Sequence, residues 1–123
     1  MPRVVVISPS SLVRFRLQRE LSPRGFIVID VADAGAGAAR AIRDAAADVV
    51  LIDGGCATAT GRILVKHLKQ DPAIRRTPVL FLDDRDPGEE ARRQVLHDGA
   101  DGIVPRGDDF DALAATLTLH LRR

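Results

Sequence analysis

The chain's 123 residues, 46% of them hydrophobic, suit one domain with one core, spanning residues 1–123, and leave no room for a second of ordinary size. Its 18 basic and 17 acidic residues leave a net charge of +1, which excludes a broad field for holding nucleic acid or an anionic membrane. With no Trp or Tyr and four scattered Phe there is no stacking platform for single strands, and no apolar run approaches the roughly 20 residues that cross a bilayer.

Val4 to Ile7 is a short β-branched run, the mark of a strand buried on both faces, and Ser8, Pro9, Ser10 and Ser11 close it with turn and cap chemistry. From Ser11 to Leu21 the apolar Leu12, Phe15, Leu17 and Leu21 fall near helical spacing, with Arg14, Arg16, Gln18 and Arg19 between them; Ser22, Pro23 and Gly25 stop the helix. Phe26 to Val31 reads as a second strand, and the alanine-rich Ala36 to Ala46 as a second helix with Ile42 on its buried side. Asp48 to Asp53 is a third strand bracketed by acids. Gly54 and Gly55 break it, and a helix around Gly61 to Gln70 carries Ile63, Leu64 and Leu68 toward the core.

Pro78 to Leu82 is the fourth strand. Asp86, Pro87 and Glu89 then read as N-cap, N1 proline and acidic N3 residue of a fourth helix that runs to about Asp98. Gly102 to Pro105 is a fifth strand, and Asp108 or Asp109 caps a last helix with Leu113, Leu117 and Leu121 on one stripe. Five apolar strands alternating with five helices predict a parallel sheet covered on both faces by right-handed crossovers, the doubly wound α/β fold in three layers.

In such sheets the functional crevice lies beyond the carboxyl ends of the strands. There stand Ser8 and Pro9, then Asp53, then Asp83 and Asp84, then Pro105 and Arg106. Asp53 comes first among them, because a carboxylate that closes a β-branched strand and precedes two glycines has an open loop around it. On position alone it is either a site residue or a loop cap that binds a backbone N–H.

The passage from the first strand into Ser10-Ser11-Leu12-Val13-Arg14, the segment Ala47 to Asp53, the segment Lys69 to Leu82 and the segment Gly99 to Arg106 together resemble a bacterial response-regulator receiver domain of the CheY-like family. The likeness covers nearly the whole chain. It implies a flavodoxin-like strand order of 2-1-3-4-5, and it implies that Asp53 matches an aspartate that accepts a phosphoryl group from a histidine kinase, with magnesium held by an acidic pair after the first strand. Ser8 and Pro9 match that pair. Asp83 matches a threonine or serine that reorients toward the phosphate, Arg106 matches a lysine, and Ile103 matches an aromatic switch residue.

Only the acceptor is retained, and phosphoryl transfer needs a metal and a cation placed at the transferring group. Ser8 offers a neutral oxygen and Pro9 none, so a hard cation loses its anionic anchors. Asp83 sets a negative charge near the expected phosphoryl position, a repulsion on the order of 1 to 4 kcal/mol at about 4 to 5 Å. Arg106 is placed to bridge Asp53 and Asp83 as a permanent internal cation. The expectation is a non-enzymatic pseudo-receiver with no cofactor, acting as a protein-interaction module in a two-component system. In the alternative, a histidine kinase still phosphorylates Asp53, with Mg2+ and with Asp84 helping to hold the metal.

The resemblance also implies a docking or homodimer face made by the fourth helix, fifth strand and fifth helix, including Arg92, Val95, Leu96, Ile103, Val104 and Leu113; Val95 and Leu96 are equally readable as core. Expected partners are a histidine kinase or an output protein, with no direct nucleic-acid or membrane contact. A small enzyme or nucleotide binder that uses the same crevice is the other class. The Ala34 to Ala39 stretch resembles a dinucleotide fingerprint only in part, since it follows the second strand and lacks the third glycine. The histidines His67, His97 and His120 have no metal-ligand spacing, Cys56 has no neighbouring base, and adjacent Asp83 and Asp84 point different ways. A lone cysteine and too short an apolar run for a signal peptide make the cytoplasm the expected compartment. Met1 and the terminal Leu121-Arg122-Arg123 are compatible with a complete small protein.

Overall fold

A computed structural model describes residues 1–32, 35, 37–54, 59–83 and 88–121 of the chain. In order they form β1 (Arg3–Ile7), α1 (Ser11–Leu21), β2 (Ile27–Val31), α2 (Ala38–Ala45), β3 (Val49–Asp53), α3 (Ala59–Gln70), β4 (Val79–Asp83), α4 (Glu89–His97), β5 (Gly102–Pro105) and α5 (Phe110–Leu121). The strands pair in parallel in the order β2-β1-β3-β4-β5. This is the doubly wound topology that the alternation of apolar strands and helices predicts.

Period-two alternation divides the core into two halves. Val5, Ile7, Val50, Ile52 and Phe81 face α2, α3 and α4, where Ile42, Leu64, Val65, Leu68 and Val95 meet them. Val4, Val6, Leu51 and Leu82 face α1 and α5, where Leu17, Leu21, Phe110, Leu113 and Leu117 close the layer. Because β1, β3 and β4 are covered on both faces, they carry no polar residue until their ends, which is why the acids appear there. Ser10 caps α1 by accepting the Val13 N–H at 3.2 Å. Asp109 does the same for α5, accepting the Ala112 N–H at 2.9 Å.

Several expectations are corrected. Strand β2 starts at Ile27, α2 is shorter than Ala36 to Ala46, α3 begins at Ala59, and β4 reaches Asp83. Helix α4 begins at Glu89 with Gly88 as its N-cap, so Glu89 lies in the first turn and not at N3; Asp86 and Pro87 lie outside the described residues. Leu12 and Phe15 do not join the buried stripe of α1: they are 73% and 60% exposed. At about 100° per residue they lie together about 140° or more from Leu17, which turns inward with Leu21. Ile63 is likewise exposed, one residue out of phase with the buried Leu64. Val95, Val104 and Leu113 are core and not contact surface, since each fills the space between its element and the sheet. Of the expected docking face, Arg92 and Leu96 are exposed, and Ile103 is half-buried against the core.

Candidate functional site

The carboxyl ends of β1, β3, β4 and β5 meet around Asp53. The Asp53 side chain is only 6% exposed, so its charge sits largely out of water and needs partners. Two are present, one on each oxygen. The Ser8 hydroxyl donates to Oδ2 at 2.6 Å, and the Arg106 guanidinium donates to Oδ1 through Nη2, closing an ion pair between β3 and the end of β5.

Local folding explains how each partner arrives. Ser8 directly follows β1 and is fully buried; its N–H donates to the Val31 carbonyl at 3.0 Å, which carries the β1–β2 ladder one residue further. The Ser8 oxygen also accepts the Ser10 N–H at 3.1 Å, tying the turn that caps α1 to the same hydroxyl. Arg106 follows β5, and its own N–H donates to the Asp83 carbonyl at 2.7 Å. Its side chain crosses over Gly54, whose missing Cβ would lie 3.8 Å from Nη2. Gly54 has φ +68°, a left-handed conformation that turns the chain away after Asp53.

The remaining predicted site residues lie as follows. Pro9 is exposed in the β1–α1 turn, and Asp83 ends β4 beside Arg106, joined through the backbone bond just given. Asp84 and Cys56 lie outside the described residues. Ile103 packs on the cluster that includes Val95 and Phe81. Among the described residues no three His, Cys, Asp or Glu side chains come together as they would to hold a metal ion.

Two features of the site are not legible in the linear sequence. Arg14 donates from its guanidinium to the Ser8 carbonyl, and so adds a second cation to the end of β1. The only hint is its place one turn past the Ser10 cap. Ser8 also acts as a donor to Asp53, not simply as a weak substitute for an acid; that contact spans 45 residues of sequence.

No protein-family model matches the chain. Along its whole length it is 28% identical to the phosphate regulon transcriptional regulatory protein PhoB of Rhizobium meliloti, and it covers 53% of that protein, about half its length. The solved chemotaxis response regulator CheY4 of Vibrio cholerae superposes with a TM-score of 0.83 at 25% identity, covering 98% of each chain. The receiver domain of a Francisella response regulator gives 0.84 at 22% identity over 100% of this chain and 98% of that one. An orphan response regulator of H. pylori gives 0.77 at 20% identity over 98% and 97%. In its strand order, and with an aspartate closing β3, the chain is similar to the CheY-like receiver domains of response regulators, which are its structural neighbours.

Proposed function

We propose that this receiver-type signalling domain works through protein contacts without phosphorylation, its acceptor-position aspartate held in one state by an internal cation. The observation that carries the reading is the occupation of both Asp53 oxygens, one by Ser8 and one by Arg106. Each oxygen keeps a further lone-pair site, but a carboxylate attacks a phosphorus centre less readily when its charge is already spent on a resident guanidinium, and the transfer needs a metal to gather the phosphoryl charge. Here the nucleophile is desolvated, paired and already neutralised.

The donor set does not fit magnesium. That ion takes near-octahedral oxygen ligands and holds to carboxylates, whereas the residues after β1 are a serine whose hydroxyl serves Asp53 and a proline with no side-chain donor. On this reading the domain has neither cofactor nor catalytic turnover. Its partners are other signalling proteins, a histidine kinase or an output protein, or a second copy meeting it through the exposed Arg92 and Leu96 of the α4–β5–α5 face. No described helix is long and apolar enough to cross a membrane, and a cytoplasmic location goes with this reading.

The test is incubation with acetyl phosphate and magnesium, followed by intact mass. The expected result is an unchanged mass. A stoichiometric gain of one phosphoryl group that disappears in Asp53→Asn overturns the proposal.

A further inference from the structure

Between α1 and α5, adjoining the Asp53 cluster through Arg106, the fold forms a partly open cavity of about 330 Å³. Its walls are mostly carbon, from Val13 and Leu17 of α1, Leu82 of β4, Val104 of β5, and Phe110 and Leu113 of α5, with the Thr116 hydroxyl the polar group that α5 adds. Five of the six apolar residues are at most 9% exposed, so the walls are rigid core, not a loose surface dimple. At its mouth stand Arg16 and Arg106 with Asp108 and Asp109. The volume lies in the range of small-molecule sites, which are typically about 300 to 1,000 Å³, apolar inside and polar at one edge.

The mouth defines the chemistry of an occupant. The Arg16 guanidinium lies 5.2 Å from the centroid of the Phe110 ring and holds the Asp108 carboxylate. That pair is exposed on both sides, 47% for Arg16 and 86% for Asp108, and exposed pairs contribute little. A ligand carboxylate can therefore replace Asp108 on Arg16 at small cost while its apolar body leaves water for the cavity. We infer that this cavity is a binding site for a small apolar carboxylic acid, with the acid on Arg16 and the body against Val13, Leu17 and Phe110. Arg106 touches both places, pairing with Asp53 and lining the cavity.

The test uses 2-naphthoate as probe and 2-naphthamide as its neutral counterpart, each titrated into the full chain and followed by amide chemical shifts. Expected are saturable shifts centred on Val13, Leu17, Phe110 and Leu113, with a dissociation constant of about 1 mM or tighter for the acid. Arg16→Gln, an exposed and fold-neutral change, weakens the acid about tenfold and leaves the amide unaffected, the size of one lost charge-assisted contact. Val13→Phe fills the space and weakens both about tenfold while the thermal midpoint is kept or raised. Shifts that are linear and scattered, that track self-association of the chain, or that survive Val13→Phe overturn the site. Equal loss of both probes in Arg16→Gln overturns its assignment to acids.

Discussion

Asp53 and Asp98 both carry carboxylates with less than a tenth of the side chain exposed, and they keep different company. Asp53 meets one cation and one hydroxyl at the ends of the strands. Asp98, just past α4, is only 1% exposed in its side chain but has three partners: Arg62 and Gln94 donate to it at 3.0 and 3.3 Å, and the Lys66 ammonium forms an ion pair at 3.6 Å. The Arg62 hydrogen bond, helped by Gln94 and the nearby charges, holds the Asp98 carboxyl below the ordinary carboxylate value against the opposing effect of its burial. Redundancy is what separates them. Three partners make Asp98 a clamp between α3 and α4 that tolerates the loss of a member, while among the described residues Asp53 has one cation, Arg106, beside the Ser8 hydroxyl, so its charge balance follows wherever that guanidinium goes.

The sharpest way to break this comparison is to remove each arginine. Arg106→Ala leaves Asp53 buried with a hydroxyl alone. Fully buried pairs cost about 3 to 5 kcal/mol when one partner goes; because Arg106 is itself 31% exposed and water can follow, about 2 kcal/mol is expected here. Urea unfolding at neutral pH reads it, and adding Asp53→Asn to the same chain should return most of the loss. If the double variant is no more stable than Arg106→Ala, the buried charge is not the source of the cost.

On the clamp side, the residue after Asp98 is next in size. Gly99 has φ +113°, and a Cβ there would stand 2.8 Å from Cγ of Lys69, whose ammonium bonds Asp101 and the Thr77 carbonyl at 2.9 Å each. Gly99→Ala should cost about 1 to 2 kcal/mol by the same measurement, from backbone strain and from displacing Lys69. Arg62→Ala comes lower, at about 0.5 to 1 kcal/mol, because Lys66 and Gln94 stay on Asp98 and the lost guanidinium is a third exposed. Should Arg62→Ala prove as costly as Arg106→Ala, redundancy is not what distinguishes the two sites.

Much of the fold was legible because β1, β3 and β4 are buried on both faces, which forces uninterrupted runs such as Val4 to Ile7 that no surface element carries. Asp53, Asp83 and Arg106 were legible as neighbours for the same reason, since a parallel sheet gathers the first polar residue after each strand. Which side of a helix faces inward was not. Leu12 and Phe15 are as apolar as Leu17 and Leu21, and only the packing of α1 against the sheet separates them. Val104 and Leu113 were placed on the docking face by the converse error, while Val95, readable either way, is core. The contacts of Ser8 with Asp53 and of Arg62 with Asp98 close loops of 45 and 36 residues, and no local pattern encodes them.

The smallest effect, and the most direct reading of the clamp, is in acid. Asp98 binds its proton less readily folded than at its ordinary value of 3.8, so folding is favoured by its ionisation. That contribution is complete at pH values above 3.8 and is lost as pH falls through the lowered native value, because the unfolded chain then takes up protons that the native state takes up only later. Asp98→Asn removes it. Unfolding midpoints of wild type and variant should therefore differ at neutral pH and converge once the pH has fallen below the lowered native value. Asp71, lowered by the Ala73 N–H and by Arg43, titrates in the same window in both proteins and leaves the variant with a residual slope. Curves that stay parallel from neutral pH into strong acid would mean that the Arg62–Asp98 contact orients α4 without contributing charge-dependent stability.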